Sequence, residues 1–187
     1  MATVIKVLSV GCLMTVLACN NHSNTEKSIP PKTTYQVACT PYFQFDKVDH
    51  YFLNMDHDKL WDIEQKKIKT EKEKKQLELL IQYTPDKLSD TTILKNIDKL
   101  DFVKKEISAD KFTQINEIFC LRKHKDLYWL SCIAEYRDIL VFKKENEIIG
   151  IAKICFSCDQ NVITGTTLNT EEFGQSGDYK KLLHLLH

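Results

Sequence analysis

The chain has almost no arginine. Arg122 and Arg137 are the only two, and lysine supplies the rest of the positive charge. Lys and Arg together number 26, as do Asp and Glu, so there is no basic excess. Arginine is the preferred reader of phosphates and base edges. Its scarcity, with a formal net charge of zero, argues against a nucleic-acid partner. Glycine is also scarce, with five in 187 residues, and no glycine-rich phosphate loop can be assembled. Ser131, Ser157 and Ser176 lack the G-x-S-x-G elbow of a serine hydrolase, and no HExxH frame is present. Proline stops at Pro85, so nothing beyond it breaks a sheet. The longest apolar run, Val7 to Ala18, is twelve residues, short of the roughly 20 that a membrane-spanning helix needs.

That short run is informative in itself. It fits the apolar region of a secretory signal, with Lys6 before it and the small Ala18 at its end. Val16-Leu17-Ala18-Cys19 looks like the lipobox of a bacterial lipoprotein, departing mildly from the usual pattern at Val16 and Leu17. The expected layout is a signal peptide over 1–18, a lipidated Cys19 opening a flexible tether over 19–34, and one globular domain over 35–187. Pro30-Pro31 and the absence of an apolar period mark the tether, whose reach is on the order of 20 Å. Acyl chains on Cys19 hold such a protein firmly to a bilayer. Asn20 is not the aspartate that in some bacteria retains lipoproteins at the inner membrane. The expected location is the bacterial cell envelope, at the outer membrane and facing the periplasm.

The pattern after the tether predicts an α+β domain. A long helix is expected from an Asp58 cap to about Tyr83, with Asp62–Lys66 and Glu71–Lys75 as i,i+4 pairs. Thr84-Pro85-Asp86 stops it. A shorter helix near 90–98, capped by Asp90, and a third, capped by Ser108 with Phe112, Ile115 and Phe119 on one face, complete a helical N-terminal half. The second half then reads as an antiparallel meander of about four strands. Its strands are Leu127 to Ala134, 138–142, Ile148 to Phe156 and Val162 to Thr167. A C-terminal amphipathic helix from Asp178 to His187 closes the chain.

Five cysteines follow Cys19: Cys39, Cys120, Cys132, Cys155 and Cys158. In an exported protein they meet an oxidising compartment, and an odd number leaves at least one unpaired within the chain. If the hairpin turns at Glu145-Asn146, opposed residues sum to 291. Cys158 then falls opposite Ile133, and Cys155 falls near Tyr136. Cys132, Cys155 and Cys158 should therefore converge at one end of the sheet. Three readings follow: a disulfide from Cys132 to Cys158 or Cys155, buried small residues, or a thiol-redox or metal site. Cys155-Phe156-Ser157-Cys158 is a C-x-x-C, but the turn residues after it do not supply the helix N-terminus that thioredoxin chemistry uses. A zinc site with His124 as a substitute ligand is a weaker version.

The stretch Arg137-Asp138-Ile139-Leu140-Val141-Phe142, a polar turn, Ile148-Ile149-Gly150, and Ile154-Cys155-Phe156-Ser157-Cys158 resembles a group of small bacterial lipoproteins with no known activity. These also place a Cys upstream, an Ile-Cys-Phe-x-Cys strand and a closing helix like Phe173-Gly174 to Leu186. The resemblance covers about 132–187 and implies the fold and the relation among the three cysteines. It brings no catalytic residue.

Other polar clusters read as structure. Asp49-His50 and Asp56-His57-Asp58 suggest a metal site, but no HExxH or comparable frame surrounds them, and a turn with a helix cap accounts for Asp56 to Asp58. His184 and His187, i,i+3 on the last helix, have metal-ligand spacing but read as terminal polar residues of an amphipathic helix. No catalytic residue, cofactor or metal is expected. The expected function is a membrane-anchored, non-enzymatic binding role toward an envelope protein, with an immunity or inhibitor role as one form of it. The alternative is a thiol-redox or metal-binding lipoprotein using Cys132, Cys155 and Cys158.

Overall fold

A computed structural model describes residues 39–128 and 130–187, apart from the Ile93 side chain. The expected signal peptide over 1–18 and the expected lipidated Cys19 and tether over 19–34 lie outside the described residues. No described helix is long and apolar enough to cross a membrane.

The architecture is mixed α+β, but the expected division into a helical first half and a four-strand meander is wrong. Two strands, β1 (Thr40–Pro41) and β2 (Lys47–Phe52), precede the first helix. Then come α1 (His57–Gln65), α2 (Glu71–Ile81) and a kinked 3-10 segment (Leu88–Leu100). β3 (Val103–Glu106), a 3-10 turn (Ala109–Lys111), α3 (Phe112–Ile118) and β4 (Cys120–Leu121) follow. The chain ends with β5 (Asp138–Lys144), β6 (Glu147–Cys155), β7 (Gln160–Thr164) and α4 (Asp178–Leu186). The main sheet has five antiparallel strands in the order β3-β2-β5-β6-β7, and β1 pairs with β4 in a two-stranded sheet.

Helices cover both faces of the main sheet, which explains why β5 and β6 read as nearly continuous apolar runs. On one face, Val48, Leu140, Phe142, Ala152 and Ile154 pack with Ile115 and Ile118 of α3 and Leu182 and Leu186 of α4. On the other, Ile139, Val141 and Ile151 pack with Leu60 and Ile63 of α1, Leu79 and Leu80 of α2, and Leu94 and Ile97 of the 3-10 segment.

β2 lies inside the sheet, and its sequence conceals this. Lys-Val-Asp-His-Tyr-Phe buries Asp49 and His50 almost completely. Two polar residues in the middle of a strand erase the apolar period. They are tolerated because each finds charged or hydrogen-bonding partners.

The expected long helix is two helices. Asp56, not Asp58, caps α1, its side chain accepting from Lys59 N–H at 2.8 Å. The charged stretch after Gln65 has no apolar stripe to hold against the core, and Ile68 stands 90% exposed. Thr70 then starts α2 with a capping box: Glu73 N–H donates to Thr70 Oγ1 at 3.2 Å, and Thr70 N–H to Glu73 at 2.8 Å. The expected i,i+4 pairs are replaced by Lys66–Glu73 and Glu71–Lys74. Lys66 first, and then the Thr70 backbone, hold the Glu73 carboxyl down to about 2. Thr70→Ala is expected to lower stability by about 1 kcal/mol, read from the urea midpoint.

The short helix near 90–98 is a 3-10 segment broken at Asp90 and Asn96. The described residues of Leu127 to Ala134 form no strand. That loop hydrogen-bonds to the 172–178 segment: Tyr128 N–H donates to Gln175 Oε1 at 3.1 Å, and Gln175 Nε2 to Tyr128 O at 3.0 Å. The hairpin turns at Glu145-Asn146, both at positive φ. Its register sums to 291 only beside the turn and shifts at a bulge beyond Lys143, pairing Phe142 with Gly150. There the Phe43 ring fills the space that a Cβ on Gly150 would occupy.

Candidate functional site

Cys132 and Cys158 form a disulfide, with Cα atoms 6.0 Å apart. Cys155 is free and buried beside Tyr136 and Cys158. The three residues meet at the expected end of the sheet, but a loop brings Cys132 there, not a strand. Gln160 fastens that loop, its Nε2 donating to the carbonyls of Leu130 (3.1 Å) and Cys132 (3.0 Å). Cys158 Sγ lies 3.3 Å from Ile133 O, and Glu135 N–H donates to Cys155 Sγ at 3.3 Å. With Cys132 and Cys158 bonded to each other, a zinc site from the three sulfurs lacks two ligands. His124 lies elsewhere, against Ser176 Oγ at 3.2 Å.

A second disulfide, Cys39–Cys120, joins the ends of β1 and β4, with Cα atoms 5.6 Å apart. Sequence reasoning missed this pairing. Two-residue strands carry no readable period, and 81 residues separate the partners. The one signal pointing to it was exclusion: with Cys132, Cys155 and Cys158 placed together, Cys39 and Cys120 are the two left.

Lys153 lies one strand repeat from Cys155 on the same face of β6, fully buried. Its Nζ donates to Gln82 O (2.5 Å) and Thr84 O (2.9 Å) and sits 4.8 Å from the Tyr136 ring centroid. Burial pushes its pKa down to about 7, against a small opposing pull from Glu78. Its amine is sealed from solvent and ties the chain after α2 to the sheet.

The most unusual polar cluster is on the opposite face. His50 from β2, Asp138 at the start of β5 and His187 after α4 converge on one carboxylate oxygen. His50 Nε2 donates to Asp138 Oδ1 at 2.7 Å and His187 Nε2 to the same oxygen at 2.8 Å. The register explains the meeting. Phe52 pairs with Asp138 and His50 with Leu140, so His50 and Asp138 are diagonal neighbours on one sheet face. The final turn of α4 lays His187 over them, its ring 5.5 Å from that of His50 and 4.9 Å from that of Phe52. His50 and Asp138 are buried, and His187 is exposed to a cleft of about 340 Å³. Phe156 and Ser157 also line that cleft, with Glu135 and Arg137 at its wall. Glu135 takes hydrogen bonds from His57 and Arg137. Burial raises the Glu135 pKa, but His57 and Arg137 outweigh it and keep the carboxyl below the usual range.

Three ligand atoms of types that bind divalent metals thus lie within 4.8 Å of one another. By sequence, His50 groups with Asp49 and His187 with His184, and both groups read as structural rather than metal-binding; the tertiary structure instead joins His50, Asp138 and His187. His184 stays exposed on α4. Asp49 belongs to a separate network with Lys143 (2.7 Å) and Lys104 (3.0 Å). Burial pushes its pKa up, and the two lysines more than offset that.

Compared with known proteins, the chain matches no family model, no curated protein and no solved structure.

Proposed function

We propose that this chain is an exported bacterial lipoprotein, anchored at Cys19 in the cell envelope, whose folded domain binds another envelope protein without catalysing a reaction. The outer membrane, periplasmic side, is the proposed location. An immunity or inhibitor role is one form of this reading. The observation that carries it is the cysteine chemistry. Four of the five cysteines after Cys19 are paired in two disulfides, as suits a protein matured in an oxidising compartment. The resemblance of 132–187 to small lipoproteins points the same way.

The binding role is supported by the loop that the Cys132–Cys158 disulfide holds. It exposes Leu127, Tyr128, Leu130 and Ile133, the last at 83%, with Tyr83 on the same cleft as Tyr128 and Leu130. Exposed apolar residues grouped on a covalently fastened loop are suited to a protein partner. The thiol-redox alternative uses Cys132, Cys155 and Cys158, of which Cys132 and Cys158 are bonded to each other and the free Cys155 is 1% exposed, closed to an attacking disulfide in solution.

The test combines labelling with crosslinking in the native envelope. Palmitate should label the wild type and leave Cys19→Ala unlabelled and released from membranes. A photocrosslinker at position 128 or 133 should give one discrete protein adduct, and one at the exposed Lys67 should give none. Palmitate label that persists in Cys19→Ala, or that is absent from the wild type, would overturn the anchor. The absence of a loop-specific adduct would overturn the binding role.

A further inference from the structure

We propose that His50, Asp138 and His187 form a binding site for one zinc ion, open to the adjoining cleft. This goes beyond the binding role proposed above and does not depend on the lipid anchor or on the cysteines.

A buried carboxylate requires a positive partner. Asp49 has Lys143 and Lys104, and Asp178 has Arg122 and Lys181. Asp138 is as buried as these, yet its ion-pair partners among the described residues are only the two imidazoles. Arg137, next in sequence, is committed to Glu135. One divalent ion would serve as the positive partner of the carboxylate, with the two imidazole nitrogens beside it as further ligands, the three ligand atoms lying within 4.8 Å of one another.

Geometry and ligand type agree. Two imidazole nitrogens and one carboxylate oxygen form a three-ligand set of the kind that holds zinc with a fourth position open. Metal–ligand bonds of about 2.0–2.1 Å at tetrahedral angles set neighbouring ligand atoms about 3.3 Å apart. The present N···O separations of 2.7 and 2.8 Å need to open by about half an ångström. His187, beyond the last turn of α4 and facing the cleft, can open the second of these, and a small rotation of the Asp138 or His50 side chain must open the first. Phe52 and Phe156 border His187, forming an apolar rim that favours ligation over hydration. The cleft leads to the open position.

The test uses the full chain, purified in detergent under non-reducing conditions and stripped with chelator. Calorimetric titration with zinc should show one saturable equivalent, and magnesium at the same concentration should show none, because hard cations prefer oxygen ligands. His187→Gln and Asp138→Asn should each weaken zinc binding by more than the roughly 10-fold that losing an outer-shell partner costs. His184→Gln, three residues away on the same helix, should bind zinc as the wild type does. Thermal unfolding should show a zinc-dependent rise in Tm in the wild type and none in His187→Gln. If Asp138→Asn does not fold, His187→Gln alone decides, because its side chain reaches the cleft. The proposal is overturned if the wild type takes up no stoichiometric zinc, or if His187→Gln binds like the wild type. It is also overturned if magnesium competes equally, or if His184→Gln is as weak as His187→Gln.

Discussion

Replacing Cys39 and Cys120 together by alanine is expected to lower stability by about 4–5 kcal/mol, the larger of the two disulfide losses. The crosslink closes a loop of 81 residues, and the entropy it removes from the unfolded chain grows with that length. The Cys132–Cys158 bridge spans 26 residues, and by the same reasoning its loss is expected to cost about 3.5 kcal/mol. The native state adds to the first effect. β1 and β4 are two residues each and offer few ladder bonds of their own, with Tyr42 N–H to Phe119 O at 2.9 Å beside them. The bridge fastens Cys39 and β1, while Tyr42 and Phe43 just after them are held by the core. Urea unfolding of the oxidised wild type and the two double variants checks the order of effects. If the 26-residue bridge proves the more important, loop closure does not govern the stabilisation. Alkylation without reductant provides a second reading. Of the five cysteines from Cys39 onward, none should react in the folded protein, and Cys155 alone should react after unfolding.

The second large effect is a pH dependence carried by Lys153. Its folded pKa is pushed down to about 7 by burial, while the unfolded chain keeps a pKa near the ordinary lysine value of 10.5. Below about pH 7 both states hold the proton, and the folded state bears the full cost of a buried charge. Between that point and the ordinary lysine range, the unfolded chain binds more protons than the folded one, so stability rises with pH. From about pH 7 to about pH 9 the gain is about 2 kcal/mol. Tyrosines reverse the trend at higher pH. Burial raises the pKa of Tyr42 and Tyr136 to about 12 and that of Tyr179 higher still. Above the ordinary tyrosine range, the unfolded chain releases these protons first and stability falls. A stability maximum on the alkaline side is therefore expected. In Lys153→Met the rise should vanish while the alkaline fall persists. A rise that survives the substitution would show that another group carries it. The absolute stability of the variant near neutral pH reflects two opposed effects. It escapes the buried charge but leaves the Gln82 and Thr84 carbonyls without their donor.

Legibility from sequence followed how each residue meets its surroundings. β5, β6 and β7 were readable because apolar and β-branched residues fill them, and α4 because Leu182 and Leu186 recur at helical spacing and are buried. β2 was hidden because Asp49 and His50 sit where the pattern demands apolar residues. Their compensation comes from Lys104, Lys143 and Asp138, at least 50 positions away. β3 is exposed along its whole length, so its edge position left no apolar trace. The helix expected over 58–83 was over-extended because charged residues favour helix locally without requiring a continuous one. The segment 127–134 alternates like a strand, but Leu127, Tyr128, Leu130 and Ile133 face solvent.

From the sequence alone came the α+β class, the closing helix, the β5–β6 hairpin and the nearness of Cys132, Cys155 and Cys158. Each follows from local periodicity or from turn geometry over a few residues. Strand order, the Cys39–Cys120 pairing, the sealed Lys153 and the meeting of His50, Asp138 and His187 were decided only by tertiary structure. His50 and Asp138 are 88 positions apart, and Asp138 and His187 are 49 apart. Pairing of β2 with β5 sets the first contact, and packing of α4 on that face sets the second. No local pattern encodes either contact, because both depend on where separate elements come to rest against one another.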